Sequence, residues 1–416
     1  MTREMTSRRD ARLLVSLGAV ALFALATSPA AAESRYSLRG FGEPTFPWRA
    51  DLRALAGAAS AASIPSIAGN PAAVGFLERG LFTGTYQTEW VSTEETLDGG
   101  TTRDRAEYNS LIPNLSLQWP VGRGLAIGVG FLVERRRGGI IETDAMTPDS
   151  VAYRQRYEAS GNLLTIPFVV GLDLEHAQLG VAADVTLLNS KERWRNIFDV
   201  SGYASSNDLD RENEIGLGAR FGLRVPYRNV GAIGAWTSLP AKIRGERHLQ
   251  NDDIIATADE LRAGIWAELP TRYGLGLELT PVAAWRVLGD WTHEAWSDAK
   301  SGEITDERID VDRVSAGVEW TSTRASGLTI PVRLGFRTEN LHFLDARQQE
   351  VRETALTAGT GFGFAGGRGQ FDWLLEYGWR GDASTEYEEK FVRFGVSVSG
   401  YEEWSRRTAP EAEEDW

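Results

Sequence analysis

The stretch Gly327-Leu-Thr-Ile-Pro-Val-Arg-Leu-Gly-Phe-Arg-Thr-Glu339 alternates residue by residue. In an extended chain Leu328, Ile330, Val332, Leu334 and Phe336 share one face, and Thr329, Pro331, Arg333, Gly335 and Arg337 share the other. Successive side chains of a strand point to opposite sides, so this segment has one apolar face and one small or charged face. A soluble sandwich buries such apolar faces against each other. A membrane barrel turns them to lipid and keeps the polar faces for its lumen. The same pattern returns elsewhere. Ile215, Leu217, Ala219, Phe221, Leu223 and Val225 oppose Gly216, Gly218, Arg220, Gly222 and Arg224, and Phe371, Trp373, Leu375, Tyr377 and Trp379 oppose Asp372, Leu374, Glu376, Gly378 and Arg380.

The N-terminus tells where the chain goes. Arg3, Arg8, Arg9 and Arg12 precede an apolar run from Leu13 to Ala26, and Ser28-Pro29-Ala30-Ala31-Ala32 follows. A basic start, a short apolar core and an A-x-A-like site make residues 1–32 a secretory signal peptide. No later stretch approaches the ~20 apolar residues of a membrane helix, so the exported chain is either soluble or a barrel. With no cysteine there is no disulfide framework and no thiolate metal site, and four scattered histidines give no metal motif, so neither metal nor cofactor is expected. A net charge of −14 argues against nucleic acid as a partner and suits a rim of solvated acidic loops.

From Arg79 to Tyr401 the sequence reads as about fourteen strand-like segments. Each is long enough for the ~9–11 residues that a tilted barrel strand needs. Tight turns are expected at 121–124, 175–177, 226–229, 270–272, 323–326 and 366–369, and longer polar connections near 97–103, 138–150, 199–211, 247–253, 292–307, 344–350 and 381–387. Short turns on one rim and long loops on the other are the arrangement of an outer-membrane barrel, with the short side periplasmic. Trp119, Tyr273 and Trp320 would mark the tight-turn interface, and Trp285, Trp291 and Trp379 the long-loop interface. The fold class is therefore all-β: a transmembrane antiparallel β-barrel of about fourteen strands over residues 79–401 in the outer membrane, with lipid as its surroundings. Residues 402–416 form a charged periplasmic tail.

Residues 33–78 lack sustained alternation. They are rich in Ala, Gly and Pro, and the part from Arg49 to Ala62 could form a short Ala-rich helix. A barrel of this size has lumen space that such a segment could fill as a plug. Asn70-Pro71 can close a compact turn whose backbone is satisfied away from water. The small-residue run ending in Asn70-Pro71-Ala72, straight before the first strand, resembles the N-terminal hatch of the FadL/TodX-type outer-membrane transporters of long-chain fatty acids and other hydrophobic compounds. The resemblance implies a fourteen-strand barrel, Asn70, Pro71 and Ala72 as the hatch motif, and passive uptake of a small hydrophobic ligand. It also implies an exit gap at a kink in an early strand. Here the third strand offers Gly128 and Gly130 but no proline. A structural or secretion-associated barrel that binds protein partners, or a general porin, would use the same wall. The oligomeric state stays open.

The polar faces carry many charges: Asp173, Asp184, Arg220, Arg224, Arg262, Glu268, Glu278, Arg313, Glu319, Arg333, Arg337, Glu376, Arg380 and Arg393 are expected to face inward. Such charges must pair across strands or meet trapped water. One reading is a charged ladder that holds wall and plug together. The other is an anion site for a ligand head group at Arg333, Arg337, Arg380 and Arg393. Gly361-Phe-Gly363-Phe-Ala-Gly366 matches G-x-G-x-x-G without a following helix, so its glycines fit an inner face approached by the plug better than a dinucleotide loop. His293 and His342, with Asp290 and Asp345, fall near the expected outer rim, but no enzymatic activity is expected from them.

Overall fold

The computed structural model describes residues 34–96, 102–122, 124–228, 230–252, 257–302, 307–323 and 329–402. The expected signal peptide, the tail beyond Glu402, Gly327-Leu328 and parts of several connections lie outside them. Alternation along the chain becomes fourteen antiparallel strands that close on themselves. They are β1 Gly80–Thr96, β2 Thr102–Gly122, β3 Leu125–Met146, β4 Ala152–Leu174, β5 Ala177–Ile197 and β6 Ser206–Tyr227, followed by β7 (Gly231–Ser238 and Ala241–Asp252) and β8 (Thr257–Leu269 and Arg272–Val282). The remainder are β9 Trp285–Glu294, β10 Val311–Thr323, β11 Thr329–Leu344, β12 Glu350–Phe364, β13 Gly369–Arg380 and β14 Tyr387–Glu402. β14 pairs with β1 from Tyr387↔Glu95 to Glu402↔Gly80, which closes the ring. In hydrocarbon, closure is the only way a sheet satisfies every backbone amide.

Facing follows the alternation. Leu217 is 74% exposed and Leu334 54%, whereas Arg337, on the opposite face of the strand that carries Leu334, is 2% exposed. The register sets Glu319 opposite Arg333, Glu353 opposite Arg380 and Glu376 opposite Arg393. The expected inward charges largely follow. Arg262 keeps the face of Ile265 and Ala267 but is exposed beside Glu260. Glu268 falls on the opposite face, because a bulge between Ala263 and Ile265 inserts Gly264 (φ 82°) and reverses the parity of the residues after it.

One expected turn lies elsewhere. Pro270-Thr271 interrupts β8 without reversing it, and Leu239-Pro240 interrupts β7 at the same level, since Ser238 pairs with Arg272 and Ala241 with Leu269. Each proline lacks the amide that a ladder rung requires, so the two breaks sit side by side. The chain reverses at Ala283-Ala284, with Val282 paired to Trp285. Tyr273 and Trp285 therefore exchange sides. Trp285 packs on Trp320 at 6.4 Å on the tight-turn side, while Tyr273 lies near His293 at 6.2 Å toward the long loops. The strand total is unchanged by this shift. The long connections after β3 and β5 are shorter than expected, because β3 runs to Met146 and β6 begins at Ser206.

Two places in the upper wall lack a strand partner. β2 and β3 pair only from Asn114↔Leu132 down to Gly122↔Leu125. Above that level Glu43–Pro44 takes the edge of β3, pairing with Arg136 and Arg135, and the Thr45 amide donates to the Glu134 carbonyl at 3.0 Å. β9 stops at Glu294, and the chain beyond it forms single bridges, Ala267↔Ser301 and Arg308↔Phe343.

The Ala-rich helix covers only Ala50–Ala54. Ala56 (φ 57°) and Gly57 (φ 74°) end it in left-handed backbone. The Ala54 carbonyl instead accepts from Thr357 Oγ1 at 2.9 Å, so a wall side chain replaces the next helical turn.

Depth on the lipid face gives a test. Phe336→Arg, four residues deeper on the same face, should destabilise the folded barrel by about 2–4 kcal/mol, and Val332→Arg, level with Trp320 at the interface, by about 0–1 kcal/mol. Urea unfolding in lipid bilayers compares them; equal costs would contradict the depth assignment.

Candidate functional site

Residues 34–79 run along the inward-facing side chains, and their contacts define the candidate site. Pro71–Val74 makes one 3-10 turn capped by Asn70, whose Oδ1 accepts from the Ala72 amide at 3.0 Å. Asn70 Nδ2 donates to the Ser60 carbonyl at 2.6 Å and to the Leu223 carbonyl of β6 at 3.1 Å. Asn70, Pro71 and Ala72 are thus brought together on β4, β5 and β6. The wall receives them on glycines. A Cβ on Gly222 would strike Asn70 and Pro71, one on Gly180 would strike Pro71 and Ala72, and one on Gly171 would strike Gly75. Only glycine lets the two backbones come this close.

The rest of the segment is held mainly by carboxylates and guanidiniums from the wall. Asp290 accepts from the amides of Ala59 and Ser60 and from Ser60 Oγ at 2.9 Å, and Trp236 Nε1 donates to the same Oγ at 2.9 Å. Glu278 accepts the Ser63 amide at 2.6 Å and its hydroxyl at 2.7 Å. Arg220 forks onto Asp184 at 2.6 and 2.9 Å and donates onward to the carbonyls of Gly69 and Ile67, while Arg224 donates to the Ala61 carbonyl at 2.7 Å. Those that reach the amides of Ala59, Ser60 and Ser63 and the carbonyls of Ala61, Ile67 and Gly69 satisfy backbone groups that the segment's irregular course leaves without a helical or strand partner. Ser60, Ser63 and Trp236 were not among the residues singled out from sequence. Serines within a small-residue run are a visible signal, but their wall partners lie more than 170 residues away.

Arg333, Arg337, Arg380 and Arg393 converge on a carboxylate cluster. Arg333 contacts Glu319 at 2.6 Å and Asp372 at 2.8 Å. Arg337 contacts Glu339 at 3.0 Å and Glu376 at 2.8 Å, together with Glu353. Arg380 reaches Glu43 at 2.7 Å, Glu389 at 3.2 Å and Glu89 at 3.4 Å, and also touches Glu353. Arg393 reaches Glu376 at 2.7 Å and Glu89 at 2.9 Å. Arg53 of the N-terminal segment joins through Glu376 at 3.2 Å. Aromatic faces complete the packing, with Phe391 under Arg380 and Arg393 and Phe46 against Arg337 at 4.0 Å. The guanidiniums are therefore occupied by carboxylates of the chain itself.

A cavity lies in another sector, between the segment and β3, β6–β10. Phe46, Trp48, Leu132 and Trp236 give it apolar surface, and Arg135, Glu134, Arg272 and Glu294 give it paired charges. Trp48 Nε1 and Thr292 Oγ1 are buried there without a hydrogen-bond partner. The histidines and aspartates read from sequence have separate settings. Asp290 is inside, on Ser60; His342 is buried between Phe41, Trp296 and Arg135; His293 bonds Asp312 at 3.0 Å; and Asp345 accepts the amides of Arg347 and Gln349. The glycine motif is displaced by one repeat. Gly359 receives Ala54, whereas Gly361 makes room for Asp372.

Known structures share this wall. The P. putida toluene transporter TodX superposes with a TM-score of 0.62 at 14% identity, covering 86% of this chain and 99% of TodX. The Ralstonia pickettii toluene transporter TbuX gives 0.58 at 16% identity, covering 86% and 98%. A Pseudomonas aeruginosa FadL homologue gives 0.53 at 11% identity, covering 89% and 99%. No protein-family model matches the chain, and no curated protein matches it by sequence. The chain has the fold of the FadL/TodX-type outer-membrane transporters.

Two tests rest on these contacts. Glu353→Ala would leave three buried guanidiniums short of a carboxylate and should cost about 3–5 kcal/mol, read as a lower urea midpoint in lipid; an unchanged midpoint would deny the cluster a structural role. The chain has no cysteine, so Ala72→Cys supplies a single label site. Maleimide should modify it slowly in the native wall and much faster when Gly222→Phe fills its socket. Equal rates would mean that the motif is not seated on β6.

Proposed function

We propose that this chain is an outer-membrane conduit for passive uptake of small hydrophobic molecules, such as long-chain fatty acids, with residues 33–78 as its plug. The observation that carries this reading is the cavity beside the N-terminal segment, where Phe46, Trp48, Leu132 and Trp236 offer apolar contact inside a barrel whose fold is that of toluene transporters. Asn70-Pro71-Ala72 is the catch. It sits on Gly180 and Gly222 with one side-chain bond to the wall, so the motif itself can lift without breaking the wall ladder. A hydrophobic molecule captured near the long loops would enter the aromatic cavity and leave when the segment shifts.

The four lumen arginines serve this function by holding the wall and the segment in place. A ligand carboxylate could bind them only by displacing protein carboxylates already at 2.6–3.4 Å. That same saturation favours a second reading, a barrel with a sealed lumen and a structural or assembly role.

Uptake separates the two. A deletion strain should accumulate labelled fatty acid or toluene more slowly, and the full chain should restore the rate. Removing residues 33–68 should leave the ring closed through β14 and β1 but uncover the upper edge of β3 that Glu43–Pro44 pairs with, and should raise single-channel conductance in planar bilayers. Unchanged uptake and unchanged conductance would favour the structural reading. Open, ion-conducting wild-type barrels would favour a porin.

A further inference from the structure

The outward face of β4–β6 changes character abruptly at the long-loop side. On β4 the apolar series Leu174, Leu172, Val170, Phe168, Ile166 and Leu164 ends at Asn162. The register sets Asn162 opposite Asn189 and Asn189 opposite Asn213, so three amides form one row along the top of the lipid-facing band. Beyond it lies a basic field of Lys191, Arg211, Arg193, Arg156 and Arg195. Arg156 stands directly opposite Arg195, and Lys191 directly opposite Arg211. Like charges facing each other across a ladder are destabilising. In a chain of net charge −14 such pairs have no solubility rationale.

The carboxylates present do not neutralise the field. Glu158 is shared by Arg156 at 2.5 Å, by Arg195 and by Arg193 at 4.0 Å, and Glu142 takes Arg156 at 2.8 Å. Among the described residues no carboxylate contacts Lys191 or Arg211. Arg193 Nε and Arg195 Nε have no hydrogen-bond partner. Those two atoms are buried, but the side chains of Arg156, Arg193 and Arg195 remain about 30% exposed, within reach of a partner arriving from the membrane side.

We propose that this face binds the phosphorylated headgroup of an anionic glycolipid in the outer leaflet. Guanidiniums and ammonium supply charge-assisted bonds to phosphate, and the asparagine row supplies amides for sugar hydroxyls or ester oxygens. The occupant is a lipid and not free phosphate, because the basic field is continuous with the apolar band: a headgroup here lays its acyl chains on Leu164, Leu187 and Ile215. The site depends on the outer-membrane placement of the barrel and not on its cargo.

The test uses the full-length barrel in neutral detergent, titrated with a diphosphoryl glycolipid, its dephosphorylated form and inorganic phosphate, with bound lipid counted by native mass spectrometry. The phosphorylated form should bind at least about tenfold more tightly than the dephosphorylated one, more weakly at high salt, and resist millimolar phosphate. Arg193→Ala with Arg195→Ala should lose about tenfold or more, whereas Arg368→Ala on the opposite rim should not. Should the arginine pair fail to fold, Lys191→Gln with Arg211→Gln, which removes no carboxylate contact, should show the same loss. Equal binding of both lipids, displacement by inorganic phosphate, or wild-type affinity in a folded variant would overturn the proposal.

Discussion

Inside hydrocarbon an unpaired amide has no partner to find, and the pairing of β14 with β1 removes the two edges that an open sheet would leave. Everything inside the barrel depends on that closure. A closed sheet with period-two facing sends every second side chain inward whether or not the lumen can solvate it. The chain places arginine and glutamate there in register, Glu319 with Arg333, Glu353 with Arg380, Glu376 with Arg393, so each charge is neutralised by the same ladder that positions it. The stability of such a cluster lies less in the attraction of any one pair than in the cost of leaving a member without its partner.

Where the ladder is incomplete, other parts of the chain complete it. The upper edge of β3 is free of β2 beyond Leu132 and is capped by Glu43–Pro44. Glu43 also contacts Arg380 across the lumen at 2.7 Å. A single turn of the N-terminal segment therefore ties the weak seam of the wall to its most strongly charged sector. The seam lies at the strand in which a kink was expected. β3 has no proline there, but Pro113 of β2, which lacks an amide, stands just above the last rung at Asn114↔Leu132, and β3 shifts register against β4 between Val133 and Arg135 at the same level.

Much of this was legible in the sequence. Facing could be read from Ile215–Val225 and from 371–380 because parity is a local property and survives any error in tertiary placement. The strand number survived too, although one boundary did not. Pro270 resembles a turn, and Ala283-Ala284, the true reversal, carries no turn signal. Gly264 is an ordinary glycine in sequence, yet its bulge reverses the facing of Glu268. The partners of the N-terminal segment were the least accessible. That Ser60 belongs to Asp290, or Asn70 to Gly222, depends on how far round the ring each strand lies, and no local pattern encodes that distance.

The lumen is divided, and the division bears on how a hydrophobic molecule could cross so charged an interior. The arginine–glutamate cluster belongs to β10–β14 and β1, and its charges are shielded by Phe391 and Phe46. The aromatic cavity faces β3 and β6–β10, on the other flank of the N-terminal segment. A ligand in that cavity would touch Trp48 and Trp236, and it would meet the charged sector through Phe46, which lines the cavity and packs on Arg337. Trp236 donates to Ser60, and Ser60 is held by Asp290 and accepts from Asn70. Occupation of the cavity and seating of Asn70-Pro71-Ala72 are thus joined through one serine. Its backbone carbonyl binds the motif while its side chain binds the cavity wall, so movement of either side is felt by the other.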